Sequence, residues 1–159
     1  MIRKQHKRYS TPRKAFDKPR IEEENAIIKA YGLKNKREIW KADYAVNKIR
    51  SQAKALIMAP AEKQKKFIER LASKGLVKQG AQIDDVLALT KEAILDRRLQ
   101  TIVFKKAMAK TAKEARQMIT HRHVLIGKEV ITVPSYFTAL DEESKISFIK
   151  NQAREAKNE

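Results

Sequence analysis

The stretch from Arg97 to Tyr136, RRLQTIVFKKAMAKTAKEARQMITHRHVLIGKEVITVPSY, decides the fold of this chain. Its apolar positions predict two short amphipathic helices, followed by a β-branched segment that one glycine interrupts. Nine Lys and Arg residues stand against two acids, and no residue is placed for covalent chemistry. Such a basic helical surface suits the phosphate backbone of folded RNA better than a small substrate. The stretch therefore indicates a binding module and not an enzyme.

The second of these helices has the clearest local signature. Thr111 and Glu114 form the T-x-x-E pattern of a capping box, which marks a helix N-terminus. Helical spacing places one set of residues inward, namely Ala112, Ala115, Met118 and Ile119. The same spacing places an outward polar stripe, namely Lys113, Arg116, Gln117 and Thr120. Basic residues lie before this stripe, at Lys105 and Lys106, and at its end, in His121-Arg122-His123. Their presence favours RNA contact over a merely solvated surface.

The flanking segments complete a small lobe over residues 97–140. Thr90 is expected to cap a single helix that runs through Leu99 to Met108. Residues 124–126 and 130–133 are expected to form short strands around the Gly127 turn, with Pro134 at the end of the second. The pattern thus predicts a helical hairpin followed by strands.

Two pairs of residues raise the question of a metal site. His121 and His123 have no cysteine and no third ligand close in sequence, so stacking on RNA or hydrogen bonding to it is favoured. Asp84 and Asp85 would diverge on a helix, and a helix N-terminal turn explains them better. We therefore expect neither a metal nor a cofactor.

The composition points to a polyanionic partner. The chain has 36 Lys and Arg against 19 Asp and Glu, a net charge of +17, and no cysteine. No apolar run approaches the roughly 20 residues of a membrane span, and the first residues do not resemble a secretory signal. The absence of cysteine excludes disulfides and thiolate metal sites and fits a reducing compartment. Nucleic acid is therefore favoured over a membrane surface.

The charge is concentrated in two poles. Residues 1–20 carry eight bases and one acid, and residues 97–140 carry nine bases and two acids, whereas residues 61–96 and 141–159 are nearly neutral. This distribution predicts two RNA contacts separated by a structural spacer.

The first pole, residues 1–20, contains two prolines and no helical period, so an extended arm that is disordered without RNA is expected. Tyr9 and Phe16 in this arm could stack on bases or pack against the body. Residues 21–96 are predicted to form a helical lobe, with a long helix over 37–59 and Pro60 before the next helix. Residues 141–159 are expected to be a C-terminal tail.

Several motifs resemble one family. Residues 97–137 resemble the small RNA-binding fold named after small-subunit ribosomal protein four, with the pair Ala115-Arg116, an H-x-H-like turn, Gly127-Lys128-Glu129-Val130 and Pro134-Ser135-Tyr136. The segments PRKAFDKPR (12–20), YGLKNKREIWK (31–41) and RRLQT (97–101) resemble its archaeal and eukaryotic branch, and the short tail favours an archaeal member. Ile126 stands where an asparagine often precedes the glycine, and the chain lacks the cysteines of the zinc knuckle found in some bacterial relatives.

The resemblance implies a cytoplasmic, ribosomal role. It implies a structural protein of the small subunit that binds the five-prime domain of its rRNA early in assembly, beside small-subunit ribosomal protein five and the path by which mRNA enters, with influence on decoding accuracy. Alternatives are an RNA-modifying enzyme or a free-standing RNA-binding stress factor built on the same small fold. No catalytic residue is expected.

The candidate RNA-binding residues share positive charge or hydrogen-bonding capacity in the two poles and the loop near residue 35. They are Arg3, Lys4, Lys7, Arg8, Arg13, Lys14, Lys18, Arg20, Lys34, Lys36, Arg37, Lys41, Arg98, Lys105, Lys106, Lys113, Arg116, Gln117, His121, Arg122, His123 and Lys128.

Overall fold

The computed structural model describes residues 7–149 and has an α+β architecture, which confirms the predicted class. The elements within that range are α1 (Lys18–Tyr31), α2 (Lys36–Leu56), α3 (Ala61–Ser73), α4 (Ile83–Leu87), α5 (Lys91–Asp96), α6 (Leu99–Lys105), α7 (Ala112–Thr120), β1 (Val124–Ile126), β2 (Glu129–Val130), α8 (Leu140–Glu143) and β3 (Ile146–Phe148). The strands form one antiparallel sheet in the order β2-β1-β3.

The N-terminal lobe is built around α2. Val46 and Ala53 on this helix pack with Phe67 and Leu71 of α3, as the apolar spacing of both helices predicted. The helix ends at Leu56 and not at residue 59 as predicted, and Ile57, just beyond its end, is 48% exposed. Pro60 is the N-cap residue of α3. This agrees with its predicted place between two helices.

The helix predicted to run from Thr90 to Met108 is two helices, α5 and α6. The break falls at Arg97 and Arg98, where the chain pairs with residues 134–138. The amide of Leu99 donates to the carbonyl of Tyr136 at 2.8 Å, and the amide of Thr138 donates to the carbonyl of Arg97 at 3.0 Å. These long-range bonds replace the helical ones at the junction, so the prediction of one continuous helix was wrong.

The C-terminal lobe has its own core, in which Val103 and Ile119 pack against Val124 and Ile146. The hairpin of β1 and β2 turns at Gly127, whose φ of 62° is left-handed, as a two-residue hairpin turn requires. The third strand, β3, pairs with β1 and comes from the segment that was predicted to be a tail. Residues 141–148 therefore belong to the folded lobe, because Ile146 fills its core.

Candidate nucleic-acid interface

The α7 helix begins as its capping pattern predicted. The Thr111 hydroxyl accepts from the Glu114 amide at 3.1 Å, while the Glu114 carboxylate accepts from the Lys110 amide at 2.7 Å and not from that of Thr111. Ala115 and Ile119 are fully buried. The opposite side exposes Lys113, Gln117 and Thr120. Three of the four residues predicted in the outward stripe therefore face solvent.

The α7 helix ends in a turn that places Arg122 in a left-handed conformation. Its φ is 63°, and the His123 amide donates to the carbonyl of Met118 at 3.0 Å, while the Arg122 amide donates to Ile119 at 3.1 Å. These two bonds form the Schellman motif, in which glycine is the usual residue at the left-handed position. An arginine therefore stands where backbone energetics favour glycine, and its side chain is exposed.

The imidazoles of His121 and His123 lie on either side of Arg122 in sequence, and both are exposed. Their ring centroids are 6.4 Å apart with an interplanar angle of 19°. Among residues 7–149, no group of three or more His, Asp and Glu side chains is arranged to hold a metal ion. The described helices also include none with the length and apolar character needed to cross a membrane.

Arg98 and Arg116 are not on the open surface where the sequence placed them. Both donate to the carboxylate of Glu38 in α2, Arg98 at 2.5 Å and Arg116 at 3.1 and 3.3 Å. The Arg98 side chain is 8% exposed and that of Arg116 is 26% exposed. The stripe position of Arg116 faces the N-terminal lobe, because α7 packs beside the start of α2.

The electrostatic environment of Glu38 favours its charged form. Burial raises the pKa of this carboxyl, but hydrogen bonds from Arg116 and Arg98 outweigh burial and bring the pKa below its ordinary value of 4.5. Glu38 is therefore a carboxylate that two guanidinium groups clamp. The sequence pattern did not identify Glu38 as a functional residue. The available signal was its position as the first acid after a run of basic residues.

A buried amide holds the two lobes together beside this carboxylate. The side-chain nitrogen of Gln100, which is 1% exposed, donates to the carbonyls of Tyr31, Gly32 and Ala112 at 2.8 to 3.1 Å. A Cβ atom on Gly32 would lie 3.0 Å from Ala112, so only glycine permits this approach. In the loop that follows, the Lys34 amide donates to the Glu38 carboxylate at 3.3 Å while the Lys34 side chain is exposed.

The arm is attached to the N-terminal lobe at Tyr9. The Tyr9 ring stacks on Trp40 with centroids 6.4 Å apart, and the guanidinium of Arg37 lies 5.2 Å from the Tyr9 centroid. Of the two possibilities left open for Tyr9, packing against the body is the one observed. Lys18 and Arg20, placed in the arm by the sequence, belong to α1. Arg3 and Lys4 lie outside the described residues.

Glu24 holds two of the candidate cations. Its carboxylate, 4% exposed, accepts from Arg20 at 2.7 Å and from the Trp40 indole at 2.9 Å, and pairs with Lys36 at 3.2 Å. Burial raises the pKa of Glu24, but the hydrogen bonds from Trp40, Arg20 and Lys36 outweigh it and lower that pKa below 4.5. Arg20 and Lys36 therefore have structural partners within the fold.

Two further candidates, Lys105 in the last turn of α6 and Lys106 just after it, have partners. Lys105 pairs with Asp96 at 3.0 Å, and the Lys106 ammonium contacts the carbonyl of Glu143. The Tyr31 hydroxyl donates to the Asp96 carboxylate, and burial together with that carboxylate raises the pKa of Tyr31 to about 12.

The candidate RNA-binding residues with exposed side chains are Lys7, Arg8, Arg13, Lys14, Lys18, Lys34, Arg37, Lys41, Lys105, Lys106, Lys113, Gln117, His121, Arg122, His123 and Lys128.

The two basic poles meet at the first turn of α2. Arg37 contacts Tyr9 of the first pole, and its neighbour Glu38 binds Arg98 and Arg116 of the second. The tertiary structure thus joins two regions that the sequence appears to separate by a spacer. The resulting surface is rich in exposed cations and can bind a polyanion along both lobes.

Comparison with known proteins agrees with this arrangement. Residues 97–138 match the family described as S4 domain. The chain is 48% identical to small ribosomal subunit protein uS4 of Thermoplasma volcanium, over 92% of this chain and 76% of that protein. Proteins of the same name from Thermoplasma acidophilum and Saccharolobus solfataricus are 46% and 40% identical, over 92% of this chain and 77% and 83% of theirs.

Proposed function

This chain belongs to the small ribosomal subunit protein uS4 family, and from that premise we propose that it is a structural component of the small ribosomal subunit that binds rRNA. The exposed cations of the arm, of the loop before α2 and of α7 neutralise phosphates, and shape complementarity to folded rRNA supplies specificity. The RNA-modifying enzyme is not favoured, because the matched relatives are named as ribosomal proteins.

The exposed guanidinium of Arg122, presented by the turn that ends α7, is the observation that carries this function. A non-glycine residue at φ 63° destabilises the fold relative to glycine, by an amount on the order of 1 kcal/mol. Ala107 at the end of α6 has a similar φ of 55°, so this conformation alone does not indicate a function, and what distinguishes Arg122 is its charged side chain. An exposed guanidinium between two exposed imidazoles, after a helix that presents Lys113 and Gln117, is suited to a phosphate backbone.

The finer features of the role extend this proposal. We propose that the chain binds the five-prime domain of the rRNA early in assembly and lies beside small-subunit ribosomal protein five, near the path by which mRNA enters. From that position it influences decoding accuracy. The resemblance to the family supports these features.

Replacement of Arg122 by glycine tests the function directly. Arg122→Gly should keep or raise the unfolding temperature while it weakens binding to a small-subunit rRNA fragment. Ala107→Gly is the matched control, because Ala107 has a φ of 55° at the end of α6 and carries no charge. It should have the same effect on stability and leave rRNA affinity unchanged. Equal affinities for both variants and the wild type would contradict the role of Arg122.

The salt dependence of binding tests the electrostatic mechanism. With at least about six to eight phosphate contacts, a plot of log K against log salt should have a slope of roughly −4 to −7. A total slope near −1 would contradict the proposal. Co-sedimentation with small subunits in high salt separates a ribosomal component from a free-standing RNA-binding stress factor, which would be released.

A further inference from the structure

Phe16 is the most exposed aromatic side chain in the described range. It is 95% exposed, whereas Tyr9, the other aromatic residue of the arm, packs on Trp40. The Phe16 ring therefore contributes nothing to the hydrophobic cores of residues 7–149. Since exposure of a large apolar ring is unfavourable in water, its burial against another molecule would be favourable.

The turn that carries Phe16 is held firmly. Arg20 donates to the carbonyls of Lys14 and Ala15 at 2.9 and 3.1 Å, and its other nitrogen donates to the buried Glu24 at 2.7 Å. Tyr9 is anchored on Trp40 earlier in the arm. The chain is thus held at Tyr9, before residues 10–13, and at Lys14 and Ala15, after them. Phe16 follows directly after the second of these points. The backbone that presents the ring is therefore held before binding, so little backbone entropy is lost when the ring binds.

The surroundings of Phe16 indicate which kind of partner would cover it. Arg13, Lys14 and Lys18 are close to it in sequence, and all three are exposed. Asp17 is the one acid among these three cations, so the segment keeps a net positive charge that RNA phosphates would balance, while an aromatic base would cover the ring. Exposed aromatic rings among basic residues are a common means of binding unpaired bases.

We propose that Phe16 stacks on an unpaired base of the rRNA, with Arg13, Lys14 and Lys18 on the adjoining phosphates. This inference rests on the proposed function and adds a base-stacking contact to it. It also gives Arg20 and Glu24 a role as positioning residues, since they hold the turn that presents the ring.

The test compares the full chain and its variants in binding to a naked small-subunit rRNA fragment. Phe16→Ala should lower affinity by roughly five- to 150-fold, the range that stacking on one base contributes. Phe16→Trp should retain affinity and Phe16→Leu should not, because leucine is apolar but has no π-face. Because stacking releases no counterions, Phe16→Ala should leave the slope of log K against log salt unchanged, whereas Arg13→Ala should reduce it by about 0.7 to 0.9.

Met58→Ala is the matched control, since Met58 is also 95% exposed, and it should change neither affinity nor unfolding temperature. Wild-type affinity for Phe16→Ala or Phe16→Leu would overturn the stacking proposal. Normal binding of Phe16→Ala to naked rRNA with poor incorporation into subunits would also overturn it and indicate a protein partner. Failure of the wild type itself to bind rRNA would instead overturn the proposed function.

Discussion

Arg116 donates two hydrogen bonds to the carboxylate of Glu38, 78 positions earlier in the chain, at 3.1 and 3.3 Å. The same carboxylate accepts from the buried Arg98. One acidic side chain therefore pairs with two cations of the C-terminal pole, balances one of the two positive charges, and links α2 to α7 and to the start of α6. This contact orients the two lobes, and with them the exposed cations that each lobe carries.

Removal of the Glu38 carboxylate should destabilise the protein strongly. Glu38→Ala leaves the Arg98 guanidinium buried without its anionic partner, and we expect a loss of about 3 kcal/mol or more in the free energy of unfolding. Urea denaturation measures this loss. Lys105→Ala, which breaks the exposed pair with Asp96, is the control and should cost less than about 1 kcal/mol. Similar losses in the two variants would contradict the assigned importance of Glu38.

The clamped carboxylates should make the fold sensitive to acid. Folding lowers the pKa of Glu38 and Glu24 below 4.5, so the unfolded chain binds protons first as the pH falls. Their contribution is complete above pH 4.5 and is lost as the pH falls through the lowered folded values. Urea midpoints measured from pH 7 down to pH 3 should show this decline. Glu38→Gln should flatten the curve, and an unchanged pH profile in that variant would argue against a perturbed Glu38.

A comparison of Gly32→Ala with Gly80→Ala should separate the energetic cost of a steric conflict from the cost of a left-handed backbone conformation. Gly32 and Gly80 both have positive φ values, 59° and 81°, but only at Gly32 would a Cβ atom meet a neighbour, Ala112 at 3.0 Å. Gly80→Ala should therefore cost only about 1 kcal/mol, from the left-handed conformation. Gly32→Ala should cost at least about 1 kcal/mol more, because α7 must move away from the loop. Thermal unfolding of the two variants is the measurement, and equal losses would show that the close approach has no energetic consequence.

Charge reversal on α7 and in the hairpin turn should weaken rRNA binding without loss of the fold. Lys113 on α7 and Lys128 in the hairpin turn are both exposed, so the double substitution Lys113→Glu with Lys128→Glu removes no buried contact. We expect affinity for small-subunit rRNA to fall by at least about tenfold at moderate salt.

The matched pair for that experiment is Lys63→Glu with Lys66→Glu on α3, where both side chains are also exposed and the same charge change is made. This pair should cost much less affinity. If both pairs reduce affinity equally, total charge governs binding and the α7 surface is not a dedicated site.

The elements that the sequence predicted correctly depend on residues close together in the chain. The α7 cap is formed within four residues, and the Gly127 turn within two, so the local pattern contains all the information needed. The α+β class and the family follow in the same way, from periodicity and from motifs that are contiguous in the sequence.

The features that the sequence did not reveal depend on long-range contacts. Residues 134–138 interrupt a helix pattern that looks continuous from Thr90 to Met108, because they take over backbone groups at its centre. Strand β3 forms because Ile146 completes a core that lies twenty or more residues away in sequence, among Ile119 and Val124. A helical period places Arg116 on the polar side of α7, but only the neighbouring lobe decides whether that side meets water or Glu38.

Composition and residue spacing are sufficient to identify this chain as a basic α+β protein with two cationic poles. Only the tertiary structure decided which cations remain exposed and that the poles adjoin. The residue type gives the sign of a charge, and helical spacing gives the side of the helix on which it lies. Its partner, however, depends on the packing of segments that are far apart in sequence. Arg37 and Glu38, adjacent in α2, contact opposite poles of the chain, and no local pattern around them could show that.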